Sequence, residues 1–343
     1  MAKILVTGGA GYIGSVCTRQ LLELGHQVVV LDDLSTGHAE AVPEEAQLYR
    51  MDYGDRGGLA RMLGEHPIDT VFHFAAKALI PESVSNPGTF FDVNLASGIA
   101  LLETLRKFAV RRFVFSSSAA VYGNPKSIPI DEDHGKEPIN SYGESKWMFE
   151  RVLRWYASAY GWAVVAFRYF NASGATGGAG ENHRPETHII PLLLETASGH
   201  RPYFEIYGND YDTPDGTCVR DYVHVSDIAA AHVLSLKGMK VGGMAAYNIG
   251  LGQGYSVREV VCAAEEITGR KIPVRIAPRR SGDPAVLCAS PAKLKRELGW
   301  EPRHSELMEM IQSAWEWKNR HPLGDASQLP VTPASRHELV RNL

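Results

Sequence analysis

The stretch Thr7-Gly8-Gly9-Ala10-Gly11-Tyr12-Ile13-Gly14 decides how the amino-terminal half of this chain is read. It follows the apolar run Ile4-Leu5-Val6, which reads as a buried strand, and it opens an amphipathic stretch over residues 15–24. Gly9-x-Gly11-x-x-Gly14 has the G-x-G-x-x-G spacing, and Gly8-x-x-Gly11-x-x-Gly14 overlaps it. Glycines at a strand-to-helix turn permit a tight bend and let backbone N–H groups approach an anion at the helix amino terminus. Taken alone, such a cluster is equally compatible with an ordinary turn. The next β-branched run, Val28-Val29-Val30-Leu31, ends in Asp32, about 20 residues beyond the glycines, where a carboxylate can bond the ribose hydroxyls of a dinucleotide. Asp33 adjoins it and no arginine directly follows, so a 2′-phosphate would meet negative charge and NAD is favoured over NADP. Gly8, Gly11, Tyr12, Ile13, Gly14 and Asp32 are therefore candidate cofactor residues. Asp52 and Tyr53, after the next predicted strand, are candidates for an adenine contact.

Working outward, residues 3–7, 27–31, 70–74, 113–116 and 163–168 read as strands. They alternate with helical stretches over 15–24, 57–64, 87–108 and 142–160. This rhythm predicts an α/β fold: a Rossmann-type, doubly wound parallel sheet with a smaller α+β substrate-binding lobe. The two longest stretches, 87–108 and 142–160, are also expected to carry an oligomer interface. After Asn171 the texture changes, and residues 173–184 and 207–216 are turn-rich, as expected of loops that embrace a substrate. Residues 222–236 read as a helix returning to the first lobe, and 256–268 as an amphipathic helix of the second. The expected division is a cofactor domain of residues 1–172 with a return segment at about 219–240, a substrate lobe of 173–218 and 241–323, and a loosely held tail of 324–343.

The 343 residues carry a formal net charge of −4, which gives no basic footprint for nucleic acid or an anionic membrane. The four cysteines, Cys17, Cys218, Cys262 and Cys288, show no C-x-x-C or Cys/His ligand spacing, so neither a disulfide framework nor a metal is assigned. No apolar run approaches the roughly 18 residues that span a bilayer, and Met1-Ala2-Lys3 runs directly into the first strand. A cytoplasmic protein is expected.

A second signal lies more than a hundred residues downstream in Tyr142-Gly143-Glu144-Ser145-Lys146. Tyr142 and Lys146 stand at i and i+4, so both side chains leave one face of a helix. The pattern alone also suits a solvated helix surface. Beside a dinucleotide, it makes Tyr142 a candidate general base and Lys146 its activator. Bringing a phenol of pKa near 10 towards neutrality takes about 3 units, or roughly 4 kcal/mol, of preferential phenolate stabilisation. Ser116-Ser117-Ser118 ends a predicted parallel strand, where ligands of such sheets bind, and Ser118 is chosen as the catalytic hydroxyl.

With these residues in hand, the chain resembles the extended short-chain dehydrogenase/reductase superfamily, in particular its sugar-nucleotide epimerase branch, from about residue 3 to 324. The likeness rests on residues 7–14, 116–123 and 142–146, Arg168-Tyr169-Phe170-Asn171, residues 207–211 and 215–225, and Arg279-Arg280-Ser281-Gly282-Asp283. It implies retained NAD, a UDP-hexose substrate inverted at carbon 4 through a 4-keto intermediate, and a homodimer. It also implies that Asn171, Arg220 and Arg280 hold the diphosphate, that Asp283 holds the uridine ribose, and that Asn94 and Tyr169 face the nicotinamide. Tyr207 falls in the substrate loop, and Leu287 at a position associated with acceptance of N-acetylated sugars. His188 stands where many relatives have asparagine, which leaves its substrate contact open. Lys77 is one place earlier than the family's lysine and is not carried over. Epimerases of N-acetylhexosamine, pentose or uronate nucleotides remain alternatives. A 4,6-dehydratase would place Thr-Asp-Glu where this chain has Ser118-Ala119-Ala120, and a non-catalytic NAD-binding regulator would be expected to lack the tyrosine or the lysine.

Overall fold

The structure, a computed structural model, describes residues 1–183, 185–280 and 283–321. Its strands are β1 (Lys3–Thr7), β2 (Gln27–Asp32), β3 (Gln47–Arg50), β4 (Thr70–His73), β5 (Arg112–Ser118), β6 (Ala163–Tyr169), β7 (Asn171–Ser173), β8 (Phe204–Tyr207), β9 (Val219–His224), β10 (Gly243–Ile249), β11 (Gly254–Ser256), β12 (Val274–Ala277) and β13 (Val286–Leu287). Its α-helices are α1 (Tyr12–Glu23), α2 (Arg56–Glu65), α3 (Ile80–Ser85), α4 (Pro87–Phe91), α5 (Gly98–Lys107), α6 (Ser141–Tyr160), α7 (Ile189–Ala197), α8 (Val225–Gly238), α9 (Val257–Thr268), α10 (Ala292–Leu298) and α11 (Leu307–Arg320).

Seven strands form one parallel sheet in the order β10-β6-β5-β4-β1-β2-β3. Its β-branched runs are continuous because both faces are buried, and successive residues supply opposite layers. Ile4 and Val6 of β1, with Val28 and Val30 of β2, pack towards α1 and α8. Leu5, Val29 and Leu31 pack towards α2, α5 and α6. Strand order reverses beside β1, so the crevice at the carboxyl ends of β1, β4 and β5 is where such a sheet receives a ligand.

The smaller lobe is built on β9, which pairs with β7, β11 and β13, and on the β8–β12 pair, packed with α7, α9 and α11. Ser256 caps α9 in a reciprocal capping box with Glu259, which fixes the start of the predicted second-lobe helix.

Four sequence expectations need correction or restriction. Residues 87–108 are not one helix: α4 passes through a π-helical segment, Asp92–Ser97, into α5. The wider turn lets Asn94 spend its amide on the neighbouring loop. The return segment begins as a strand, β9, belonging to the small sheet, and only α8 rejoins the large body against α1. The boundary at 241 is misplaced, because β10 pairs along its whole length with β6 and is the edge of the large sheet. Trp300, beyond α10, is likewise buried in that body, its indole N–H donating to the Asp227 carbonyl at 2.9 Å. The expected tail, 324–343, lies outside the described residues.

Candidate active site

The glycine turn joins β1 to α1 at the reversal point. Its three glycines at i, i+3 and i+6 have different physical reasons. Gly8 has φ +73° and a β-carbon on it would collide with the Ala75 backbone nitrogen, while a β-carbon on Gly14 would collide with the Gly8 carbonyl. Both are demanded by the protein itself. A β-carbon on Gly11 would meet nothing closer than the Gly8 carbonyl at 3.4 Å, an ordinary contact. Gly11 is also the N-cap of α1, with no side chain to satisfy the first-turn N–H groups. The space beside Gly11 is therefore open, as a pyrophosphate at this helix terminus would need.

Asp32 ends β2 buried, accepting from Ala10 N–H at 3.0 Å and Leu34 N–H at 2.9 Å. Burial raises its pKa, against the pull of those two donors. The carboxylate thus pins the glycine turn and retains lone pairs for a ribose. These residues fit NAD. Two of the other expected contacts change character. Tyr12 packs in the core and its hydroxyl donates to the Gly174 carbonyl at 2.6 Å, so its side chain ties the turn to the substrate-lobe loop. Tyr53 is also a core side chain, donating to the Val93 carbonyl and edge-on to His73, while the neighbouring Asp52 is exposed and accepts from Gly54 N–H. Ile13 is partly buried against the core.

Tyr142 and Lys146 do share one face of α6, which starts at the Asn140 cap, whose side chain accepts from Gly143 N–H at 2.8 Å. Gly143 lets the helix press against the turn after β5, for a β-carbon there would sit 2.5 Å from the Ala120 carbonyl. The three serines of β5 are thereby sorted. Ser116 offers its carbonyl to the Lys146 ammonium at 2.8 Å. Ser117 donates to Glu150 at 2.5 Å. Ser118 accepts from Ala120 N–H at 3.1 Å and is the serine beside the Tyr142 phenol. Burial raises the Tyr142 phenol and the Ser118 hydrogen bond lowers it. Burial pushes Lys146 down to about 7, with Glu150 opposing. Lys146 Nζ lies 5.9 Å from the Tyr142 ring centre.

Behind this pair is a buried network that motif reading did not single out. Arg168 of β6 makes paired bonds to Glu150 at 3.0 and 2.7 Å and reaches Tyr122 at 2.8 Å, and Tyr122 donates to Asn248 at 2.6 Å. It fixes the rotation of α6 against β5 and β6. The available signal was Glu150 itself, at i+4 from Lys146 on the same face.

The nicotinamide-end candidates are largely committed within the protein. Asn94 accepts from Lys77 N–H at 2.8 Å and donates to the Lys77 carbonyl and the Ser145 hydroxyl, both at 3.0 Å, which makes it a clamp on the loop after β4. Tyr169 is buried and donates to His232 Nε2 at 2.6 Å, since His232 Nδ1 faces the Ile228 carbonyl. Lys77 pairs with Glu82 at 3.3 Å.

The small sheet gathers the substrate candidates. Arg220 stands in register with Leu287 and is ion-paired to Asp283. Arg280 lies over the Tyr207 ring at 3.8 Å, and Arg279 over Tyr211 at 4.1 Å. Arg220 and Asp283 are thus engaged with each other. Asn171 begins β7, in register with Tyr222. His188 is not with this group. It precedes α7 and contacts Glu181 and Glu186 at 2.9 Å each, with the Glu181 carboxylate holding its imidazole well above the usual range.

The family model for the NAD dependent epimerase/dehydratase family matches residues 4–250, and the chain belongs to that family. It is 47% identical over 324 residues to the UDP-glucose 4-epimerase of Lacticaseibacillus casei, covering 94% of this chain and 98% of the relative. A crystal structure of a UDP-glucose 4-epimerase superposes with a TM-score of 0.91 at 45% identity, covering 94% of this chain and 99% of the other. The Bifidobacterium longum UDP-glucose 4-epimerase, solved with NAD+ and UDP, gives 0.89 at 38% identity, with 93% and 99% covered. Among the described residues no helix is long and apolar enough to cross a membrane.

Proposed function

We propose that this chain is an NAD-dependent isomerase that interconverts UDP-glucose and UDP-galactose. The observation that carries the reading is the placement of Tyr142 and Lys146 on one face of α6, beside Ser118 at the end of β5 and at the same end of the sheet as the Gly11 turn. NAD, when bound by the glycine turn and Asp32, supplies the acceptor and donor of hydride.

The protein's own groups do the rest. Tyr142 takes the proton of the sugar 4-hydroxyl, and Ser118 bonds the same oxygen pair, so the proton moves along a short path. Lys146 favours the phenolate by its charge. Arg220 and Arg280 grip the nucleotide while the hexose is held loosely enough to present its other face as a 4-keto sugar, which binding energy placed away from the reacting carbon allows. A cytoplasmic homodimer completes the proposal. Its support is the group of exposed large side chains Trp155 and Tyr160 on α6 and Phe108 just beyond α5, which lie on the two stretches expected to carry the interface.

The test is to incubate the purified protein with UDP-galactose and no added NAD, following UDP-glucose by chromatography and reduced nicotinamide by absorbance. Conversion without accumulating NADH is expected. No conversion after NAD is supplied, or a 4-keto-6-deoxy product from a glucose nucleotide, overturns the reading.

A further inference from the structure

Between β7 and α7 the chain reads Glu181-x-His183-x-x-Glu186-x-His188, and the four side chains turn inward to one point. One ligand atom from each lies within 4.8 Å of all the others. His183 Nδ1 is 3.4 Å from Glu181 and 3.8 Å from Glu186, and His188 Nδ1 is 2.9 Å from each carboxylate. Zinc bonds of about 2.0–2.1 Å to nitrogen and oxygen put the corners of a tetrahedron roughly 3.3 Å apart, a value these four separations bracket. Both carboxylates are more than nine-tenths buried, at 8% and 7% exposure. Two anions brought together out of water need a cation or two protonated imidazoles between them. A separate observation favours the cation: His183 Nδ1 is buried and aimed into the group, 3.4 and 3.8 Å from the two carboxylates, yet makes no well-aligned hydrogen bond among the described residues.

We infer that Glu181, His183, Glu186 and His188 form a structural divalent-cation site, with zinc as its occupant. Two imidazoles and two carboxylates neutralise a divalent charge and suit a borderline ion. Four protein donors fill a tetrahedron, which leaves no open position for catalysis and makes the ion a staple. What it staples is the loop that bridges the two lobes. That loop meets the cofactor lobe through Tyr12 on the Gly174 carbonyl, Arg19 on the Gly178 carbonyl at 3.1 Å and His38 at the Asn182 carbonyl at 2.9 Å. His188 is then a metal ligand at the start of α7 rather than a sugar contact.

The test uses the whole chain and zinc alone. Protein is stripped with a chelator, exposed to Zn2+, desalted and assayed by elemental mass spectrometry. Cobalt replaces zinc in a parallel sample for visible spectroscopy. About one zinc per chain, intense tetrahedral Co2+ bands and a lower thermal midpoint after stripping are expected. His183→Ala and Glu186→Gln should each weaken metal binding by about tenfold or more, since even outer partners of metal ligands are worth that much. Circular dichroism of each variant shows whether it has folded, and the stripped wild-type protein carries the test if either has not. Absence of retained zinc, uptake unchanged in folded variants, or a midpoint indifferent to the chelator would mean a cluster of ion pairs and overturn the site.

Discussion

Lys146→Met removes the buried charge nearest the proposed base while keeping an unbranched side chain of similar length. Burial already pushes the ammonium down to about 7, so losing it relieves a desolvation penalty, and the helix should stay folded. The lysine's leverage on Tyr142 follows from its position. With Nζ 5.9 Å from the ring centre and an effective dielectric of about 20, the attraction to a phenolate is about 2.8 kcal/mol, or about two pK units. Activity rises with pH as the phenol gives up its proton. The attraction acts only while Lys146 is charged, so the variant's loss should be largest, up to about a hundredfold, below about pH 7 and should narrow as pH rises and the wild-type ammonium is itself lost. The assay is UDP-galactose conversion from about pH 6 to 10, with bound NAD quantified after denaturation. A loss of the same size at every pH, with NAD content intact, would refute an electrostatic role for Lys146 acting through Tyr142. Loss of NAD from the variant would instead make the lysine a cofactor anchor.

Tyr142→Phe should reduce turnover by about a hundredfold to ten-thousandfold, the range of a general base, while NAD stays bound. Near-normal activity would remove Tyr142 from the mechanism. Gly11→Ala and Gly14→Ala should separate binding from folding: the Gly14 change meets the Gly8 carbonyl and lowers the thermal midpoint of the NAD-free protein, whereas the Gly11 change leaves that NAD-free midpoint nearly unmoved and loses NAD. Full NAD content in Gly11→Ala would show that the turn faces no ligand. His73, His224 and His232 are held neutral by burial, with pKa values lowered to about 3, 4 and 4. The unfolded chain binds their protons first, so stability is full above about pH 6.5 and falls as pH drops towards 4, by roughly 2 kcal/mol per ring at pH 5. Urea midpoints that do not change between pH 7 and 5 would contradict this. Trp155→Glu should shift the sedimenting species from dimer to monomer, and a wild-type monomer at micromolar concentration would dispose of the dimer.

The parts of the fold that were legible in the sequence are those whose signal is local and repeated. β1, β2 and β6 announce themselves because a strand buried on both faces carries a near-continuous apolar run. The Tyr142/Lys146 pair is legible because helical geometry turns a spacing of four into one face. β10 carries no such mark. Gly243-Met-Ala-Ala-Tyr-Asn-Ile249 is neither alternating nor strongly β-branched, and it is a strand because β6, some eighty residues earlier, leaves an open edge for it. The π-helical turn at Asn94 is hidden for a similar reason, since it is fixed by what the amide bonds across the loop and not by its neighbours in sequence.

The same distinction governs the candidate site. The family resemblance could nominate Asn94 and Tyr169 near a cofactor, and position after a predicted strand could nominate Tyr53. They could not tell that Asn94 clamps Lys77, that Tyr169 is satisfied by His232, or that the Tyr53 hydroxyl is spent on Val93. A polar side chain in a buried setting must find partners, and those partners come from other elements. The Glu181–His188 segment is the strongest instance. Its ligand types are close in sequence, yet the four residues belong to no helix or strand, so no periodicity says that their side chains converge. Only the folded loop, with α7 fixing one end and Tyr12 tied to the other, brings two carboxylates and two imidazoles to a single point. A loop that needs a metal to hold that convergence should lose it when the metal is removed, and the ordering of residues 174–188 measured by hydrogen exchange before and after chelation decides whether it does.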